Sequence, residues 1–211
     1  MTKVSYLPFV GSIFLSAFLL FLIQPLVTQF LLPLFGGSPA VWNTALVFFQ
    51  VVLLLGYVYA HLISSLGSRR MALLIHLGVL AAPLALLPPA RPGSAFLSGV
   101  LHPSVTVLVV LALMVGAPFF ALSTNSSLIQ HWWAQTGNPG AEDPYWLYGA
   151  SNLGSLLALL SYPILVAPLL ALDTQAAYWS VGYGVFLLVT LGPMALGARR
   201  KAVDRGPPVQ A

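Results

Sequence analysis

Ser123, Ser126 and Ser127 lie within about two helical turns of His131, and Glu142 and Asp143 follow further along. A serine nucleophile needs a base within hydrogen-bond reach, and that base needs a third group to orient it. Here the two carboxylates fall beyond the turn Gly137-Asn138-Pro139-Gly140 and beside Pro144, in an exposed connection. No triad assembles from such a spacing. The four histidines are dispersed, no His-x-x-Glu-His arrangement occurs, and the chain has no cysteine. No strand–Gly-x-Gly–helix unit announces a nucleotide-like cofactor. Neither catalysis, a metal nor a cofactor is expected. The chemistry to look for is binding and positioning.

The clearest polar pattern lies earlier. Asn43, Gln50, Tyr57 and His61 are separated by seven, seven and four residues in a run otherwise made of Val, Leu, Phe and Ala. On a helix the four fall within about 40° of one another. A polar stripe against acyl chains is costly, so it is expected to face other helices or a wet cavity. One reading is interhelical hydrogen bonding, at about 0.6 kcal/mol per bond on average. The other is one wall of a solute path. Gln24, Asn125, Asn152 and Tyr162 are further candidates for the path or for helix contacts. His76 reads as a hydrogen-bonded packing residue. A second set, Trp132, Trp133, Glu142, Asp143 and Tyr145, reads as a cytoplasmic docking face. In it the two tryptophans sit at headgroup level, while Asp143-Pro144 has the order of an N-cap followed by a first helical residue.

Composition decides what must position these groups. The chain has 211 residues, 59% hydrophobic and 6% charged, where a soluble domain carries about 25% charged residues. Lipid is therefore the solvent for most of it. The first apolar run, 7–35, is far longer than the roughly 7–15-residue apolar core of a cleaved signal peptide and reads as a retained helix. A spanning helix needs about 20 apolar residues. Six segments qualify, at 9–32, 41–63, 71–87, 105–122, 149–172 and 176–196, with Pro83 placed to kink the third. A short interfacial helix is expected at 126–135, and Tyr178, Trp179 and Tyr183 read as an interfacial belt. Ser151-xxx-Ser155 and Gly154-xxx-Ala158 are small-residue faces for close helix approach. The expected fold is all-α: a polytopic membrane bundle of six transmembrane helices over 1–197 and a basic, disordered tail over 198–211. The six helices can be read as two inverted three-helix repeats, half of a major-facilitator-like fold.

Lys3 precedes the first span, Arg69 and Arg70 lie between the second and third, and Arg199, Arg200, Lys201 and Arg205 follow the sixth, leaving Arg91 alone on the other side. The positive-inside rule then puts both termini in the cytoplasm. The cations flank apolar runs, so they read as topology signals and no nucleic-acid partner is expected.

Two blocks, LLPLFGGSPAVWNTALVFFQVVLLLGYVYAHL from Leu31 and GAPFFALSTNSSLIQHWWAQTGNPGAEDPYWLYGASNLGSLLALLSYP from Gly116, carry a family resemblance. Together they resemble the membrane portion of the bacterial fused major-facilitator/spermidine-synthase-like proteins, in which a multi-helix domain precedes a cytoplasmic aminopropyltransferase-like domain. The turn between the second and third spans is similar to the corresponding loop of major facilitator transporters at Leu62, Gly67 and Arg69, with Ser64 in place of an aspartate. Fourteen residues, 198–211, follow the expected six-helix domain, so no synthase domain is expected in this chain. The resemblance implies the architecture, a bacterial inner membrane, and an association with polyamine-like metabolism. Two functions follow as expectations. One is an anchor or scaffold for a separate soluble synthase-like enzyme. The other is a transporter-like unit for a small, polyamine-like solute, which as a six-helix chain would need to form a homo-oligomer to enclose a path.

Overall fold

The computed structural model describes residues 5–90, 102–136, 138, 141 and 143–199. Lys3, Arg91, the 95–101 segment, Glu142 and the tail from 200 onward lie outside the described residues. Among the described residues six helices are long and apolar enough to cross a membrane: α1 (Leu7–Phe35), α2 (Pro39–Ser64), α3 (Arg69–Leu86), α4 (Pro103–Ala134), α5 (Tyr145–Leu169) and α6, whose helical run extends over Leu172–Arg199. The chain is an all-α polytopic bundle, and its apolar helices imply contact with a lipid bilayer.

Prolines account for the irregular turns. In α3 the helix tightens to a 3-10 turn over Ala82–Leu86, which contains Pro83. In α4 and α5 single wide π-type turns, Ala112–Gly116 and Tyr162–Val166, border or contain Pro118 and Pro163. The short interfacial helix expected over 126–135 is not separate, because α4 runs unbroken to Ala134. Within its polar stretch Ser123 and Thr124 satisfy their hydroxyls inside the helix, donating back to the carbonyls of Phe120 and Ala121, both at 2.7 Å.

α1 and α4 form the centre. About half of the most apolar stretch of each is buried (56%), against 17% for α5. α1 packs against α4, α5 and α6, while α4 packs against α1, α2 and α3. Shifting the chain by three helices maps this pattern onto itself, since the first helix of each half holds the second and third helices of the other. Glycines set two of the crossings. A Cβ at Gly56 would overlap the Ser123 side chain, so α2 lies directly on α4. A Cβ at Gly154 would come to 2.5 Å from the Phe14 carbonyl oxygen, so α5 lies directly on α1.

The aromatic belt expected on α6 is mostly internal. Tyr178 is exposed, but Trp179 and Tyr183 are buried. Trp179 donates its indole N–H to the Leu19 carbonyl at 2.9 Å, and Tyr183 donates its hydroxyl to the Leu80 carbonyl at 2.9 Å. In a 3-10 turn Leu80 would receive the N–H of Pro83, which proline lacks, and the tyrosine takes that place. Trp132 and Trp133 are likewise buried, and not at a headgroup-level surface. Trp132 packs edge-on to His76, and Trp133 packs between Phe9 and Trp146. The α1 N-terminal end offers α4 apolar and aromatic partners, and burial of indole area exceeds what an interfacial position would give.

Candidate functional site: a polar cleft between four helices

α1 and α4 touch along the bundle centre, with α2 beside α4 and α5 beside α1. Between them runs a cleft of about 570 Å³. Its floor is Ser16, Ala17, Leu20 and Phe21 of α1 with Leu122, Ser123, Ser126, Ser127 and Gln130 of α4. Its walls are Leu53 and Tyr57 of α2 and Tyr148, Ser151, Asn152 and Ser155 of α5. Helical periodicity explains why these residues converge. On α5 the positions are i, i+3, i+4 and i+7, and on α4 the polar positions Ser123, Ser126, Ser127 and Gln130 repeat the same spacing. At about 1.5 Å per residue, Gln130 and Tyr148 lie roughly 5 Å from their helix ends, while Ser16, Ser123 and Ser155 lie roughly 15 Å in. The cleft therefore descends from the end that carries the α1 N-terminus to about the middle of the bundle.

A polar knot holds the floor from beneath. The Asn125 amide nitrogen is within hydrogen-bond reach of the Ser12 carbonyl (3.2 Å), the Ser12 hydroxyl (3.1 Å) and the Ser16 hydroxyl (3.0 Å). Its two hydrogens can serve two of these at once. The Ser12 hydroxyl also meets the Thr190 hydroxyl at 2.7 Å, so the knot ties α1, α4 and α6 together. All four side chains are essentially inaccessible. Ser16 belongs to both the knot and the cleft, which makes Asn125 a positioning residue for the floor.

The residues singled out from sequence divide sharply. Tyr57 and Asn152 line the cleft, and Asn125 lies just below it. Gln24 folds back onto its own helix, donating to the Leu20 carbonyl at 3.3 Å. Tyr162 is buried and donates its hydroxyl to the Gln175 side-chain oxygen at 3.1 Å, bridging α5 to α6. Asn43, Gln50 and His61 do not meet the chain's other helices. They are exposed on the outer face of α2, because the opposite face, with Ala45, Gly56 and Ala60, packs on α4. Of the docking set, Trp132 and Trp133 are internal, Asp143 and Tyr145 are exposed, and Glu142 is outside the described residues. Asp143 accepts from the Tyr145 N–H at 3.2 Å, although α5 begins after Pro144, one residue later than the N-cap reading places it. His76 is buried, its Nδ1 3.5 Å from the Tyr59 hydroxyl and its Nε2 without a hydrogen-bond partner among the described residues, so the expected hydrogen bonding is only half met. Among the described residues no serine hydrogen-bonds to His131: Ser123 is bonded within α4, and His131 meets Gln135 at 2.8 Å.

Ser16, Ser123, Ser126, Ser127, Gln130, Tyr148, Ser151 and Ser155 line the site without having been read as path residues. The signal was present as two i, i+3, i+4, i+7 polar runs. Serine in a spanning helix usually signals close packing, which masked it. Among the described residues the lining offers hydroxyls and amides, each able to donate or accept, and no charged side chain. Such a surface suits a small hydrogen-bonding molecule. No family model, no curated protein and no solved structure matches this chain.

Proposed function

We propose that the chain is a transporter-like unit of a bacterial inner membrane, with its termini in the cytoplasm and its cleft opening there to a small, uncharged, hydrogen-bonding solute. The observation that carries this reading is the convergence of the polar faces of α4 and α5 on one cleft that reaches the bundle middle. Polar side chains are costly inside a bilayer, and clusters of them mark solute paths. The excess of cations at the end bearing the α1 N-terminus supports the orientation, and the resemblance to the membrane portion of major-facilitator/synthase fusions supports the class. Among the described residues no lining carboxylate would balance the ammonium groups of a polyamine, so a neutral polyol or amide fits the described lining better.

Purified protein in liposomes tests this reading. Uptake or binding of neutral polar solutes is expected, lost on Asn152→Leu and on Ser127→Leu and retained on Leu188→Ala, a lipid-facing change on α6. Absence of both uptake and binding across a panel of solutes and gradients would sink it.

A second reading has its own observation. Tyr145, Trp146 and Tyr148 are exposed beside Asp143, and Tyr6 packs edge-on to Trp146 at 6.1 Å, giving an aromatic cluster at the same end of the bundle. That cluster would anchor a separate aminopropyltransferase-like enzyme. Co-purification of such an enzyme from native membranes, abolished by Tyr145→Ala, is the expected result, and its failure to co-purify removes the scaffold role.

A further inference from the structure

We propose that α2 is the contact helix of a homodimer in which two copies lie parallel with α2 against α2. Asn43, Val47, Gln50, Leu54, Tyr57 and His61 are spaced four, three, four, three and four residues apart, and all six are exposed. This is the alternation of a left-handed two-helix seam, in which every such position meets its own copy. α2 cannot turn this face inward, because Gly56 lies directly on α4 and Ala45 and Ala60 are buried on the same face.

Among the described residues, none forms a hydrogen bond to the side chains of Asn43, Gln50 or His61. Gln50 is the most demanding of the three. It lies about 16 Å from the Pro39 end of α2 and about 21 Å from the Ser64 end, at acyl-chain depth, where lipid offers no partner. A primary amide carries both a donor and an acceptor, so two copies related by a two-fold axis satisfy each other. The membrane forces that relation, since all copies insert with the same topology and Asn43, Gln50 and His61 each recur at matching depth in the partner. An unrelated helix would need the same groups at the same three levels, whereas a second copy has them by construction. Tyr57 belongs to both the seam and the cleft wall, which places the dimer axis along one rim of the cleft. The inference shares that residue with the transport reading, but its test reads association and involves no solute.

The chain has no cysteine, so single cysteines report directly in native membranes. Under mild oxidation Val47→Cys and Leu54→Cys are expected to give disulfide-linked dimers, and Leu188→Cys on the outer face of α6 is not. Adding Gln50→Leu to Val47→Cys should lower the cross-link yield by about threefold or more, the ratio set by one average interhelical hydrogen bond. An unchanged thermal midpoint for dilute Gln50→Leu protein in detergent separates lost association from lost fold. Cross-linking at Leu188 equal to that at Val47, a chain that stays monomeric, or cross-linking to a different polypeptide would each overturn the proposal.

Discussion

Two helices of this bundle carry polar side chains on one face, and the two faces end in opposite places. On α4 the row Ser123, Ser126, Ser127 and Gln130 faces the cleft, and Asn125, on the other side of the same helix, is fully buried and bonded to α1. On α2 the run from Asn43 to His61 looks outward, with no partner among the described residues. Periodicity alone treats them alike, because it tells which residues share a face and not which way the face looks. The deciding residues sit on the other side of the helix. α2 presents Ala45, Gly56 and Ala60 opposite its stripe, and close approach to α4 is worth more than burial of a few amides. α4 is central and packs on several sides, so Asn125 meets α1 on one side while the serine row opens on the cleft on the other.

The largest effect follows from the face that decides. Gly56→Val places a side chain where the Ser123 side chain already stands. α2 must then retreat from α4, at a cost of about 1–3 kcal/mol, read as a lower thermal midpoint in detergent. Leu54→Val, on the exposed face of the same helix, is expected to stay within about 0.5 kcal/mol. Equal costs at the two positions would mean that close packing does not set the orientation of α2.

Next comes the buried amide on the far side of α4. Asn125→Leu removes the amide that reaches Ser12 and Ser16 and leaves Ser16 bonded only to the carbonyl of Ile13. Interhelical bonds in membranes average about 0.6 kcal/mol, and a buried group left unsatisfied costs about 1–3 kcal/mol. Together these place the expected loss at about 1–2 kcal/mol. The same change should weaken solute binding more than lipid-facing substitutions do, since Ser16 forms part of the cleft floor. A stable variant with unaltered binding would show that the knot does not position the floor.

The six spans, their order and an irregularity at Pro83 are legible in the sequence, because lipid demands long apolar helices and a proline cannot donate. The cleft is legible only in part. Tyr57 and Asn152 stand out as polar residues in apolar runs, whereas Ser151 and Ser155 are small enough to read as packing residues. The structure separates the two interleaved rows of α5, with Gly154 and Ala158 buried and Ser151 and Ser155 on the cleft. The tryptophans mislead for a related reason. Their amphipathic rings suit both an interface and a core with an available carbonyl, and only the partner, Leu19 for Trp179 or His76 for Trp132, distinguishes the two.

That ambiguity gives a smaller test. Tyr183→Phe keeps the buried ring and removes only the hydroxyl that reaches the Leu80 carbonyl. The expected loss is about 0.6 kcal/mol, the average for one such bond and well below the cost at Asn125. If Tyr183→Phe costs nothing, the 3-10 turn at Pro83 does not depend on α6 for a donor. A cost as large as that of Asn125→Leu would make α6, and not α4, the helix that holds the knot together.

The smallest effect is the most informative about α2. In dilute detergent, where the protein is kept monomeric, Gln50→Leu exchanges an exposed, unpartnered amide for an apolar group and should leave the thermal midpoint unchanged within about 0.5 kcal/mol. Asn125→Leu under the same conditions lowers it. The pair therefore measures the difference between a polar residue that has a partner in its own chain and one that has none. A Gln50→Leu loss equal to the Asn125→Leu loss would mean that Gln50 is bonded inside the monomer. The two amides would then be equivalent, and the outward face of α2 would no longer call for anything beyond lipid.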